Sequence, residues 1–258
     1  MSNYHFLDQP SILRNAFFPR RGLSTCPENA FDLTIPATEN ISLHCRFYSS
    51  SSDSPTILYF HGNGEIVSDY DGIAPLYHSG AGANLAVAEY RGYGAAGGTP
   101  TFSAMLEDAH RYFAAVKEEL ARRNYTDSLY IMGRSLGSVS ALDLAAAYTG
   151  ESKGLIIESG FTSATRIARR LGFTMPPQEI ELLEEECRQK VQGITLPALV
   201  IHGEADSLVP LQEAETLYAL LGSEKKKLTV IPWADHNSLI FEGEEEYFSA
   251  IRSFAGGK

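Results

Sequence analysis

The chain has 258 residues and a formal net charge of −11, with 44% hydrophobic and 21% charged residues. This composition is that of a globular protein, and it excludes a disordered, collagen-like or coiled-coil chain. The acidic balance argues against a nucleic-acid partner and a polybasic membrane patch, because both interactions use clustered basic side chains. The length suits a single α/β domain over residues 1–258.

No apolar run approaches the roughly 18 residues of a transmembrane segment. Residues 1–21 also lack the pattern of a secretory signal, a charged segment followed by an apolar one. The three cysteines, Cys26, Cys45 and Cys187, are an odd number without a CxxC pair. We therefore expect free thiols and a cytoplasmic location, although the sequence leaves one disulfide open.

The first predicted elements are two strands of an antiparallel pair. Residues 31–36 and 41–48 alternate apolar and polar side chains, which is the period of strands with one buried face. A turn at 38–40 separates the two strands, and a serine-rich surface loop at 49–55 follows them.

Continuous short apolar runs come next, as in strands that are buried on both faces. These runs are residues 57–60, 84–88, 129–132, 155–157, 198–201 and 228–231. Segments with the helical spacing of apolar residues lie between and after them. We predict helices over about 103–122, after Leu136, around 214–221 and around 247–254. Strands that alternate with helices predict a mainly parallel sheet covered on both faces.

Residues that can carry chemistry follow four of these strands. A His-Gly-Asn-Gly turn occupies residues 61–64, and a Gly-Arg-Ser-Leu-Gly segment occupies 133–137. Asp206 and His236 follow the last two strands. Because sites in such sheets lie outside the carboxyl ends of the strands, we expect a serine, an aspartate and a histidine to meet at one edge.

A serine hydroxyl is a weak nucleophile, so it needs a base to accept its proton and an acid to orient that base. Ser135, His236 and Asp206 are the predicted nucleophile, base and acid. The Gly-x-Ser-x-Gly pattern lets a strand turn sharply into a helix and exposes the serine Oγ. The backbone N–H groups of Asn63 and Leu136 are the predicted donors to an oxyanion.

Other interpretations of these residues stay open. Ser135 could lie in a purely structural turn, and Asp206 could cap the helix that follows it. Glu204 is the nearest rival for the acid, and Glu158, after another strand, is a second one. Asp235 is adjacent to the predicted base in the chain, from where it could not easily orient the imidazole.

Two further histidines, His61 and His202, each precede a glycine at a strand end, and we expect their rings to bind nearby backbone groups. The sequence has no HExxH, HxH or cysteine-rich spacing, so we expect no metal and no cofactor. The glycine-rich loop at 92–98 lacks the spacing of a dinucleotide-binding motif.

The segment at about 161–194 is too long for a simple crossover between two core strands, and we expect a short helical lid there. One helical face of this segment carries Ile180, Leu183, Cys187 and Val191. That pattern is typical of an amphipathic helix packed on the core. The candidate lining of an acyl pocket is Phe161, Leu171, Phe173 and Met175. An arginine trio, Arg166, Arg169 and Arg170, is either surface charge or a site for an anionic substrate group.

Taken together, the strand-end segments resemble the α/β-hydrolase superfamily over about residues 31–254. The likeness is to small intracellular serine hydrolases with a short lid, in the prolyl-oligopeptidase-like and acyl-thioesterase-like branch. This resemblance implies three α/β/α layers around an eight-stranded, mainly parallel sheet. The resemblance also implies that Ser135 is the nucleophile, Asp206 the acid and His236 the base. It implies that the backbone N–H groups of Asn63 and Leu136 are the oxyanion donors.

From these features we expect a serine hydrolase that cleaves carboxylic ester or thioester bonds of a small-molecule or acyl substrate through an acyl-enzyme. A peptidase of the prolyl-oligopeptidase type is the alternative, since the same three residues would serve it. Such peptidases usually carry a propeller or an N-terminal domain that selects peptides, and this chain is too short for one. A non-catalytic binding protein with the same fold is a third, weaker hypothesis.

Overall fold

An eight-stranded sheet forms the centre of the structure. The structure is a computed structural model, and it describes residues 3–126, 128–165, 172 and 174–256. The strands are β1 (Ala30–Thr38), β2 (Ile41–Tyr48), β3 (Thr56–Phe60), β4 (Asn84–Ala88), β5 (Leu129–Arg134), β6 (Gly154–Glu158), β7 (Ala198–Gly203) and β8 (Lys226–Ile231). Their order in the sheet is β1-β2-β4-β3-β5-β6-β7-β8. Strand β2 is antiparallel to both β1 and β4, and all other neighbours are parallel. The eight-stranded, mainly parallel sheet that was expected is confirmed.

Helices connect and flank these strands. They are α1 (Pro10–Ala16), α2 (Phe102–Arg122), α3 (Ser138–Ala147), α4 (Pro177–Gly193), α5 (Leu211–Leu220), α6 (Leu239–Glu242) and α7 (Glu244–Ala255). Shorter helical turns lie at Asn3–Leu7, Val67–Tyr70, Ala74–Leu76, Tyr77–Ala81 and Ser135–Gly137. The four helices predicted from the spacing of apolar residues correspond to α2, α3, α5 and α7.

The sheet separates two buried hydrophobic clusters, and β3 shows how the sequence produces them. Successive side chains of a strand point to opposite faces. Leu58 and Phe60 accordingly belong to the cluster that also contains residues of α2, α3, α4 and α5. Ile57 and Tyr59 belong to the other cluster, which α6, α7 and the turns at 67–81 cover. A strand that is buried on both faces is expected to be a near-continuous apolar run, and all five residues of β3 are buried with only Thr56 polar among its aliphatic and aromatic residues.

Helix α4 belongs to the segment predicted as a lid. Its buried residues are Ile180, Leu183, Cys187 and Val191, so the predicted amphipathic face is confirmed. An ion pair holds α4 to α3: Lys190 Nζ lies 2.5 Å from Oδ1 of Asp143 in α3. In the described part of the chain, no helix has both the length and the apolar character that crossing a membrane requires. All three cysteines are free thiols.

Candidate active site

Ser135 lies at the sharp turn between β5 and α3. Its backbone is left-handed, with φ of +50°, a conformation that costs free energy for any residue other than glycine. A Cβ on Gly133 would overlap the carbonyl group of Gly137, and a Cβ on Gly137 would overlap that of Phe60. The two glycines therefore allow the close approach of backbone that places Ser135 at the edge of the sheet.

Three predicted side chains form one chain of hydrogen bonds. His236 Nε2 lies 2.9 Å from Ser135 Oγ, and His236 Nδ1 lies 2.7 Å from Asp206 Oδ2. Because an ionised carboxylate can only accept, Nδ1 carries the ring proton and Nε2 is left to accept from the serine hydroxyl. All three residues are buried: Ser135 is 9% exposed, His236 is 6% exposed and Asp206 is 5% exposed. The path of a proton from the serine to the imidazole is therefore largely shielded from bulk water.

The loop after β7 keeps Asp206 ionised. Asp206 Oδ1 accepts hydrogen bonds from the N–H groups of Leu208 and Val209, at 3.0 and 2.7 Å. Burial alone would raise the pKa of Asp206, but the hydrogen bonds from His236 Nδ1 and from the Val209 N–H lower that pKa below its ordinary value. These N–H donors belong to the loop and precede α5, so Asp206 does not cap that helix.

His202 supports the same loop. Its Nε2 lies 2.7 Å from the Val209 carbonyl oxygen and 3.4 Å from Asp206 Oδ2. Burial lowers the pKa of His202 below its ordinary value, so the ring is neutral and its Nε2–H donates to the carbonyl. The predicted contact between this ring and nearby backbone is therefore present.

The rival acids have other partners. Glu204 accepts a hydrogen bond from the backbone N–H of Trp233, at 3.2 Å. Glu158 accepts one from Arg134 Nε, at 3.1 Å. Over the described residues, neither glutamate forms a hydrogen bond with His236.

The turn after β3 presents the N–H group of Asn63. The side chain of Asn63 is held on three sides: its Oδ1 accepts from the Phe18 N–H and the Tyr93 hydroxyl, and its Nδ2 donates to the Ala16 carbonyl. Within the part of the chain that the structure describes, the backbone N–H groups of Asn63 and Leu136 have no acceptor. Both remain available for an oxygen atom of a bound molecule, as an oxyanion site requires.

A buried ion pair lies behind this turn. His61 Nδ1 is 2.8 Å from the Gly62 carbonyl oxygen, and His61 Nε2 is 3.1 Å from Glu89 Oε1. Both partners are acceptors, so both ring nitrogens carry protons and the ring is an imidazolium. Burial alone would lower the pKa of His61, but its hydrogen bond to Glu89 and the carboxylate charge raise that pKa above its ordinary value. Because a trans peptide points its C=O and N–H in opposite directions, the bond to Gly62 also turns the Asn63 N–H away from His61.

Two of the four candidate lining residues have described positions. Phe161 and Met175 are buried in the hydrophobic cluster that contains Leu136. Outside the described residues lie Leu171, Phe173 and the arginine trio Arg166, Arg169 and Arg170.

The side chain of Arg134, which was not predicted as a site residue, lies beside the hydrogen-bonded chain and donates to the His236 carbonyl oxygen. Arg134 and Asn237 line a cavity of about 670 Å³. In the chain, Arg134 directly precedes Ser135 and Asn237 directly follows His236. The only signal in the sequence was the position of an arginine inside the Gly-x-Ser-x-Gly segment. Its glutamate partners are far away in the chain, so the sequence did not reveal the contacts.

A family model described as serine aminopeptidase, S33, matches residues 52–177 and 178–244. The matched residues include the turn after β3, Ser135, Asp206 and His236. The chain belongs to this family of α/β-hydrolases. Membership of the S33 family makes the protein a hydrolase and confirms the resemblance inferred from its sequence.

Curated proteins from a yeast, a bacterium and human are similar to this S33 hydrolase. It is 28% identical to protein bem46 of Schizosaccharomyces pombe over 212 residues, 80% of this chain and 68% of that protein. It is 27% identical to YfhR of Salmonella typhimurium over 248 residues, 88% of this chain and 82% of that protein. It is 29% identical to human alpha/beta hydrolase domain-containing protein 17B over 220 residues, 81% of this chain and 69% of that protein.

Two solved structures share the fold of this chain. The esterase Pf2001 of Pyrococcus furiosus superposes with a TM-score of 0.73 at 18% identity, covering 92% of this chain and 97% of that one. Est1E of Butyrivibrio proteoclasticus superposes with a TM-score of 0.70 at 19% identity, covering 86% and 97%. At these identities the likeness shows the α/β-hydrolase fold.

Proposed function

We propose that this S33 hydrolase cleaves carboxylic ester or thioester bonds through an acyl-enzyme on Ser135. The observation that carries the proposal is the continuous hydrogen-bonded chain from Ser135 through His236 to Asp206. It lies beside two backbone N–H groups, of Asn63 and Leu136, that are free to bind an oxyanion. Nucleophilic acyl transfer requires these parts: an activated hydroxyl, an oriented base and preorganised N–H donors.

In the proposed acylation step, Ser135 Oγ attacks the carbonyl carbon of the substrate while His236 Nε2 accepts its proton. The resulting imidazolium is stabilised by the ionised Asp206. The negative charge that develops on the substrate oxygen accepts hydrogen bonds from the N–H groups of Asn63 and Leu136. The partial positive charge at the N-terminus of α3 favours that charge further.

The proton then returns to the leaving group. His236 donates it from Nε2 to the departing alcohol or thiol, and the acyl group stays on Ser135. In the second half of the reaction a water molecule replaces the leaving group, with His236 again the base. Hydrolysis of the acyl-enzyme releases the acid and restores the serine hydroxyl.

The apolar surroundings of the nucleophile support an acyl substrate. Phe161 lies three residues after the end of β6 and belongs to the same buried hydrophobic cluster as Met175 and Leu136. We propose that these side chains line the acyl pocket. Of the two structural neighbours named above, Pf2001 is an esterase and Est1E was solved with ferulic acid bound.

Cleavage of a peptide bond at an amino terminus is the second candidate function. The description of the family as serine aminopeptidase favours it. The same proton transfers would serve, with an amine as the leaving group. Ester and thioester substrates must therefore be compared directly with aminoacyl p-nitroanilides.

The test measures hydrolysis of p-nitrophenyl esters and acyl thioesters with two to sixteen carbons, and of aminoacyl p-nitroanilides. Wild type is compared with Ser135→Ala and with the control Ser140→Ala, another buried serine, whose hydroxyl has no hydrogen-bond partner among the described residues. We expect Ser135→Ala to lose at least about 10³-fold in kcat and the control to keep wild-type turnover. Undiminished turnover by Ser135→Ala would exclude the acyl-enzyme. Turnover of the anilides alone would favour the peptidase.

A further inference from the structure

The guanidinium of Arg134 connects two loops and the end of β6 at the edge of the sheet. Its Nη1 contacts Glu65 of the turn after β3, and its Nε donates to Glu158 at the end of β6, at 3.1 Å. Its Nη2 donates to the carbonyl oxygen of His236 and to Asn237 Oδ1, at 2.8 and 2.9 Å. All three guanidinium nitrogens are therefore bound, two of them to loops and one to the end of β6.

The contact with Glu65 reaches the oxyanion turn itself. Glu65 Oε2 accepts a hydrogen bond from the Gly62 N–H at 2.7 Å, and the Tyr70 hydroxyl donates to the same oxygen at 2.6 Å. Gly62 immediately precedes Asn63, whose N–H is one of the proposed oxyanion donors. A shift of Glu65 would therefore move that donor.

The contact with His236 reaches the base. Holding its carbonyl oxygen restrains the backbone from which the imidazole projects. Arg134 is also bonded to Ser135 through the chain, so one planar group touches the supports of the nucleophile, the base and an oxyanion donor. Arginine suits this task because its fork of donors is rigid and points in fixed directions.

We propose that Arg134 is a positioning residue for acyl transfer, which sets the spacing between the oxyanion turn at 62–65 and the His236 loop. The proposal rests on the proposed function of Ser135. Misplacement of a catalytic group by about 1 Å can cost about 10²-fold in rate. Loss of this positioning lowers kcat more than it raises KM, because oxyanion contacts strengthen in the transition state.

The chain contains a matched arginine that lies outside the site. Arg91 holds Asp108 with two donors, at 2.6 and 2.7 Å, and its side chain is 13% exposed against 11% for Arg134. Changing either arginine to lysine keeps the charge and removes the planar fork. A purely structural role for Arg134 predicts similar effects of the two changes.

The experiment compares Arg134→Lys with Arg91→Lys in the full chain. Two readouts are used: kcat and KM on the best ester or thioester, and the rate at which a fluorophosphonate probe labels Ser135. We expect kcat and the labelling rate of Arg134→Lys to fall about 10- to 100-fold, with KM changed less than about threefold. Arg91→Lys should stay within about twofold of wild type, although both variants melt at lower temperature.

The outcomes separate this proposal from the function on which it rests. If the probe does not label wild-type Ser135, the proposed function fails and the positioning role fails with it. If wild type is labelled and Arg134→Lys is labelled equally fast, only the positioning role is refuted. Should Arg134→Lys not fold, Glu65→Gln decides: we expect a 3- to 10-fold fall in kcat, and an unchanged kcat would refute the proposal.

Discussion

Replacing Asp206 by asparagine changes one atom of the proposed site and should remove most of its activity. The carboxylate accepts at both oxygens, from the N–H groups of Leu208 and Val209 at Oδ1 and from His236 at Oδ2. Asparagine has one accepting oxygen, which the two loop N–H groups keep. Its NH₂ group then faces His236 Nδ1, which must accept, so the ring proton moves to Nε2. There it points at Ser135 Oγ, and the ring can no longer take up the serine proton.

The expected loss follows from this change of tautomer. A histidine held in the wrong tautomer costs about 10⁴-fold in kcat, equivalent to about 5.4 kcal/mol at about 1.36 kcal/mol per decade. The loop hydrogen bonds persist, so we expect the free energy of unfolding to fall by less than about 2 kcal/mol. A domain of ordinary stability stays folded after such a loss, so unfolding cannot account for the lost activity. The assay is kcat on the best p-nitrophenyl ester, with thermal melts of the same samples.

The neighbouring acids provide matched controls. Glu204→Gln changes the rival glutamate, whose carboxylate accepts from the Trp233 N–H. Asp235→Asn changes the residue next to His236, whose carboxylate accepts from the Asn237 N–H at 2.8 Å. Both variants should keep kcat within about threefold of wild type. The reasoning is refuted if the asparagine variant at 206 keeps more than a tenth of wild-type kcat, or if Glu204→Gln loses as much.

Three further predictions concern the frame of the site. Gly137→Ala puts a Cβ into the backbone of β3, so we expect a lower melting temperature and at least a tenfold lower kcat; Gly150→Ala, whose Cβ would meet open space, should change neither. The pKa of Glu89 is lowered from 4.5 and that of His61 is raised from 6.5, so their pair stabilises the fold fully between these pH values. This stabilisation disappears as the pH rises through the raised pKa, so melting temperatures of wild type and His61→Gln should converge toward pH 9; a constant difference would contradict the ion pair. Leu183→Ala should lower the free energy of unfolding by about 2–5 kcal/mol, because Leu183 is fully buried. Denaturant titration measures this loss, and the control is Leu182→Ala, which changes an exposed leucine of α4.

Much of the fold could be predicted because its signals are local. A continuous apolar run such as Ile57–Phe60 is compatible with few environments other than a strand covered on both faces. The N-terminal turn at Asn3–Leu7 and helix α1 were not predicted, because they are short and depend on contacts distant in sequence. Tyr4, for example, is buried against Cys187, with its hydroxyl 3.4 Å from the thiol.

The hydrogen-bonded residues could be predicted from topology, since Ser135, Asp206 and His236 all follow parallel strands. Their electrostatic supports could not be predicted. Arg134 and Glu65 are 69 residues apart in the chain, and no periodicity relates them. The ionised state of His61 is likewise invisible in the sequence, because it depends on two acceptors that only the folded chain brings to its ring.

The peptide groups on either side of Gly62 are held by two ion pairs. The imidazolium of His61 donates to the Gly62 carbonyl, and Glu65, paired with Arg134, accepts from the Gly62 N–H. Buried ion pairs add little net stability, since well-packed apolar side chains in their place are often as stable or more so. Here the ion pairs fix the orientation of the backbone. Because both polar groups of Gly62 are hydrogen-bonded, the Asn63 N–H is oriented before any substrate binds. Preorganised donors of this kind act on the transition state without reorganisation, so breaking either pair should lower kcat as well as stability.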